Sequence, residues 1–90
     1  MSGIMPLARR GLEVATLDGE AVVFDPDRFV VHHLNPAGLA VWARCDGATP
    51  VDEVVADLAA DFGVDPGRVG EDLDDLLARL EAEGLLDQPR

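Results

Sequence analysis

Three times between residues 35 and 66 the chain sets a polar residue directly before a proline: Asn35-Pro36, Thr49-Pro50 and Asp65-Pro66. Proline at the first helical position gives up an N–H that the helix cannot use there, and its φ is already helical. Asn, Thr and Asp are the residues whose side chains cap the next free N–H groups. The device therefore starts helices and cannot lie inside one, which divides the second part of the chain into three. The first helix is expected from Pro36 to about Cys45, stopped by Asp46-Gly47. In the second, Val51, Val54, Val55, Leu58, Ala59 and Phe62 follow the i, i+3, i+4, i+7 spacing of one apolar face, and Gly63 ends it. In the third, Val69, Leu73, Leu76, Leu77 and Leu80 form one stripe, the opposite face is acidic, and Gly84 supplies the left-handed residue before Leu85 and Leu86.

Before Asn35 the period is that of strands. Leu12 to Leu17 is closed by Asp18-Gly19, a dipeptide suited to a tight hairpin. Ala21 to Phe24 is a second run, bounded by Asp25-Pro26-Asp27, and Phe29 to Leu34 a third. Short connections make this a three-stranded antiparallel meander. In the third strand Phe29, Val31 and His33 share one face and Val30, His32 and Leu34 the other. Strands followed by helices give an α+β fold: a three-stranded antiparallel sheet and then three helices, the element content of a winged helix-turn-helix. A fold of this kind does not by itself imply DNA binding.

Ninety residues suffice for one modest core, so the expectation is a single domain over residues 1–90 with its core from about 12 to 86. Val30 to Trp42, the longest uncharged apolar stretch, is interrupted by two histidines, Asn35, Pro36 and Gly38, and no segment suits a bilayer. Residues Met1 to Gly11 lack the apolar core of a signal peptide, which predicts a cytoplasmic protein. Seven basic residues, all Arg, stand against 18 acidic ones, a net charge of −11. Such a field repels phosphate backbones and anionic lipid, so neither nucleic acid nor membrane is an expected partner. The third helix, the one that would enter a major groove, carries Arg68 and Arg79 among Glu71, Asp72, Asp74, Asp75, Glu81 and Glu83.

Catalysis finds little support. His32 and His33 are the only bases of suitable pKa, and as strand neighbours they point to opposite faces. Cys45, the single cysteine, lies among Val41, Trp42 and Ala43 as a buried, inert thiol. Two adjacent histidines, one cysteine and scattered carboxylates match no zinc spacing, and Gly63, Gly67 and Gly70 lack the strand and lysine of a phosphate-binding loop. Neither a metal nor a cofactor is expected. Recognition by shape remains: if the third strand lies at the sheet edge beside the third helix, an extended peptide can add to it as a further strand.

The stretch His33-Leu34-Asn35-Pro36, then Gly38, Val41-Trp42, Cys45-Asp46-Gly47, Val54, Leu58-Ala59, Phe62-Gly63-Val64 and Leu76-Leu77 to Gly84-Leu85-Leu86 resembles the PqqD family, also called RiPP recognition elements. RiPP denotes a ribosomally made and post-translationally modified peptide. The resemblance implies a winged-helix-like protein without catalytic activity. It would bind the leader of a precursor peptide and deliver it to a modifying enzyme, a radical SAM enzyme or a leader protease. The leader is implied to dock as an added strand against the third strand and the third helix. On this chain that surface comprises Phe29, Val30, Val31, His32, His33 and Leu34, with Asp72, Leu73, Asp75, Leu76, Arg79 and Leu80. Arg79, a rare cation on an acidic helix, is the expected polar contact, and the surrounding negative charge favours a leader with basic residues. Leu34, Trp42, Val54, Leu58 and Leu77 are read as core, and Asn35 and Gly38 as a cap and a close-packing position. A winged-helix regulator acting through protein contacts is the alternative. A monomer is expected, with self-pairing through the edge strand as the competing arrangement.

Overall fold

The computed structural model describes residues 3–87, and the remaining ends of the 1–90 span lie outside the described residues. Six elements run in the order β1 (Glu13–Leu17), β2 (Glu20–Asp25), β3 (Val30–Leu34), α1 (Pro36–Trp42), α2 (Val51–Phe62) and α3 (Pro66–Ala82). The strands form one antiparallel sheet of order β1-β2-β3, so the winged-helix-type α+β reading holds. Asp18 and Gly19 both adopt positive φ, 54° and 79°, as the two central residues of a type I′ hairpin turn must.

One face of the sheet carries the core. Ala21, Val23 and Asp25 of β2 are buried, and their partners Leu34, His32 and Val30 on β3 lie on the same side. Leu34 joins Val41, Val54, Leu58, Leu73, Leu80, Leu85 and Leu86 in one cluster. Trp42, at the cluster's margin, donates its Nε1–H to the Leu85 carbonyl at 3.0 Å. Asn35 caps α1 by accepting from the Gly38 N–H at 2.8 Å, and a Cβ at Gly38 would stand 3.2 Å from that same Asn35 Oδ1. Asp65 caps α3 by accepting from the N–H groups of Gly67 and Arg68. Gly63 and Gly84 close α2 and α3 in left-handed conformation, as expected.

Three expectations need correction. First, α1 ends at Trp42 and not near Cys45; Arg44 and Cys45 bond back to Val41 and Trp42, a tighter i→i−3 winding that Asp46-Gly47 does not control. Second, Thr49 does not cap α2. Its hydroxyl donates to the Asp46 carboxylate, which also accepts from the Ala48 and Thr49 N–H groups, and Pro50 occupies the cap position without a side-chain bond. Third, Phe29 lies outside β3, in left-handed conformation at φ 56°.

The segment before β1 forms part of the fold. It threads between the α1–α2 connection and the C-terminal end, with single bridges Ile4 to Pro50, Leu7 to Asp46 and Ala8 to Leu86. Met5 is buried in the core.

Candidate functional site

With β2 on one side only, β3 is an edge strand. In an antiparallel pair every second residue turns its N–H and C=O away from its partner, so β3 presents a row of free donors and acceptors. Beside it runs α3. His32 Nδ1 lies 3.9 Å from Glu83 at the C-terminal end of that helix. Past the other end of the strand, Ala37 shares an apolar cavity of about 400 Å³ with Asp72, Leu73 and Leu76. The middle of β3 thus faces the C-terminal end of α3, and the start of α1 faces the middle of that helix. Val41, Leu58, Phe62, Val64 and Val69 complete the cavity, so its far wall is built by α1 and α2.

The twelve residues singled out from the sequence fall into three groups. Leu34, Leu73 and Leu80 are buried and form the floor on which strand and helix meet. His32 and Leu76 are half-buried between them. Phe29, Val30, Val31, His33, Asp72, Asp75 and Arg79 are exposed. The spacing of Arg68, Asp72, Asp75, Arg79 and Glu83 puts both signs of charge along one flank of α3. Among the described residues Arg79 has no carboxylate within ion-pair distance, Asp75 included.

The two histidines separate as alternation requires. His33 faces outward, its Nε2 at 2.6 Å from Glu20 Oε1, while His32 faces the core, its Nε2 buried and without a hydrogen-bond partner among the described residues. Neither meets Cys45, whose thiol lies 3.3 Å from the Val41 carbonyl. Burial, with a smaller contribution from the Asp46 charge, pushes that thiol up to about 11. At pH 8 only about one molecule in a thousand then carries the thiolate. Iodoacetamide is expected to label Cys45 in the native protein at least a hundredfold more slowly than in urea, by about that depletion; equal rates would contradict the burial. Among the described residues no three His, Cys, Asp or Glu side chains gather as a metal-binding group, and no helix is long and apolar enough to cross a membrane.

One constellation escaped the sequence reading. Asp25, at the end of β2 and fully buried, accepts from Arg9 through both guanidinium nitrogens, at 2.7 and 3.2 Å, and from the Asp27 and Arg28 N–H groups. Arg9 also donates to Asp27 and to the Gly84 carbonyl. The Arg9 hydrogen bond, against the opposing effect of burial, holds the Asp25 carboxyl below its ordinary value. The group fixes the β2–β3 turn and so the start of β3. Its sequence signal was an Arg pair at Arg9 and Arg10 with no visible partner.

The fold and its open edge define a winged-helix-like α+β protein whose edge strand β3 has one side free. The chain belongs to the PqqD family: the model of that family, described as coenzyme PQQ synthesis protein D, matches residues 20–86. Among solved structures it is similar to TbiB1 in complex with the TbiA(beta) leader peptide, at 24% identity and a TM-score of 0.80, over 93% of this chain and 98% of that one. At that identity the likeness is one of fold. Comparison with the sequences of curated proteins gives no match.

Proposed function

We propose that this protein binds the leader of a ribosomally made precursor peptide by strand addition to β3 and presents it to a modifying enzyme, a radical SAM enzyme or a leader protease. It performs no chemistry of its own and acts in the cytoplasm as a monomer built as one domain. The observation that carries this reading is the free edge of β3, whose His32 approaches the C-terminal end of α3. Strand addition supplies affinity through backbone bonds, which any sequence can make, and selectivity through pockets that read alternate side chains. Phe29 to Leu34 would flank the incoming strand on one side, and Asp72, Leu73, Asp75, Leu76, Arg79 and Leu80 would face it from the helix. Membership of the PqqD family supports the choice of ligand, as does the likeness to a protein solved with a leader peptide.

The test is an NMR titration of labelled protein with synthetic leaders of precursor peptides encoded beside its gene. Amide shifts confined to residues 29–34 and 68–80, saturating at micromolar peptide, are the expected result. Saturable binding that leaves β3 unshifted would overturn strand addition.

A further inference from the structure

The outer face of the sheet, away from the helices, is unusually apolar for one that no helix covers. Phe24 of β2 pairs with Val31 of β3, and Val31 is 63% exposed. Phe29 stands edge-on to Phe24, ring centroids 6.0 Å apart at 73°, and is itself 84% exposed. A sheet with one solvated face ordinarily places polar residues there. Moreover Phe29 has φ 56°, a region that bulky residues avoid and Asn or Gly accept. The turn that imposes this conformation is anchored by Asp25, which accepts from the Asp27 and Arg28 N–H groups and is gripped by Arg9. The fold thus carries local strain to hold an aromatic ring in water beside the edge strand, where its own packing gains little from it.

Resting on strand addition at β3, we infer that Phe29, with Phe24 and Val31, is the subsite for an outward-facing side chain of the bound peptide, and that this side chain is apolar and preferably aromatic. Successive side chains of an added strand must fall on opposite faces of the sheet. One set meets α3. The other lies on the outer face, where the residue opposite Val31 extends the apolar row of Phe24 and Val31; Phe29, 84% exposed at the turn that starts β3, is free to turn toward it, and an aromatic partner would gain edge-to-face contact as well as burial. A second copy of this chain is a poor occupant. Glu13 and Glu20 lie on the same face, and stacking two such faces would bring like charges together on molecules of net charge −11.

The experiment uses the full chain and peptides selected on it from a random displayed library, keeping those that shift the amides of residues 30–34. The variants are Phe29→Asn, which the left-handed backbone accepts, and Phe29→Tyr, which keeps the ring. F29N is expected to melt no lower than the parent protein yet bind the retained peptides about tenfold more weakly, the usual loss at an aromatic anchor. F29Y is expected to bind as the parent does, and the retained peptides to share an apolar residue at the outward position. Unchanged affinity in F29N overturns the subsite while leaving strand addition intact. Failure of every selected peptide to shift those amides overturns strand addition, and the subsite with it.

Discussion

Met5→Ala is expected to lower the unfolding free energy by about 2–5 kcal/mol, the range for truncating a buried methionine when the site collapses only in part. Met5 is 1% exposed and belongs to the same cluster as Val23, Leu34, Leu73 and Leu85. The backbone around it is held on two sides. Its own N–H donates to the Thr49 carbonyl at 2.8 Å, Val51 donates to Gly3, Ala8 donates to Cys45, and Arg9 donates to Leu85. The segment therefore cannot slide inward to fill the space. In a domain whose whole stability is on the order of 5–15 kcal/mol, and at the low end for a chain this short, that loss is a large fraction. Urea unfolding measures it: the midpoint should fall with the slope unchanged, because the surface exposed on unfolding is nearly the same. A midpoint within error of the parent would mean that the segment rests on the fold without supporting it.

That Met5 should rank among the core residues was not legible in the sequence, and the reason is physical. Residues 3–9 make only isolated bridges, so they have neither the alternation of a strand nor the 3.6-residue period of a helix. Their apolar positions Ile4, Met5 and Leu7 become meaningful only once the chain has brought residues 46–50 and 85–87 to either side of them. The helices were legible for the opposite reason. Asn35, Asp65, Gly63 and Gly84 act within one turn of their own positions, so local sequence suffices. Thr49 marks the limit of that logic. It stands where a cap would, but Asp46 lies three residues back and captures its hydroxyl, closing a turn in place of a cap.

The candidate site divides along the same line. That His32 and His33 would lie on opposite faces follows from a period of two; that His32 is the one facing the core does not, because both faces of the run are largely apolar. That β3 would lie at an edge, with the C-terminal end of α3 near it, is a property of topology. The sequence pattern made that arrangement an option; the sheet order and the 3.9 Å approach of His32 to Glu83 decide it. Phe favours strands, so the sequence extends β3 back to Phe29. The turn overrode that preference, since Asp25 ties up the N–H groups of Asp27 and Arg28 and leaves Phe29 to close the loop with positive φ.

Arg9→Met is expected to lower the melting temperature at pH 7 by on the order of 10 °C, as removing one partner of a buried ion pair does in a small domain. The damage arises less from the lost attraction than from the carboxylate left behind. Asp25 is fully buried, and without Arg9 only two backbone N–H groups satisfy it. The cost should therefore depend on pH. In the parent protein Arg9 holds Asp25 below its ordinary value of 3.8, so its ion pair contributes stability above that value and loses it as pH falls through the lower folded one. Asp46, lowered to about 2 chiefly by the Thr49 hydroxyl and then by backbone N–H groups, adds to the same acid-side loss between about pH 4 and 2. In the Arg9→Met variant burial acts on Asp25 unopposed by a cation, its pKa rises, and protonation relieves the penalty. Thermal unfolding from pH 7 down to pH 3 should show the gap between variant and parent narrowing steadily. The double variant Arg9→Met/Asp25→Asn provides the second arm, because a neutral amide accepts the same two N–H groups without needing a counter-charge. It should melt above Arg9→Met alone at pH 7. A gap that stays constant with pH, together with a double variant no better than the single one, would mean that Arg9 acts through its contacts with Asp27 and the Gly84 carbonyl, and that the buried charge contributes nothing.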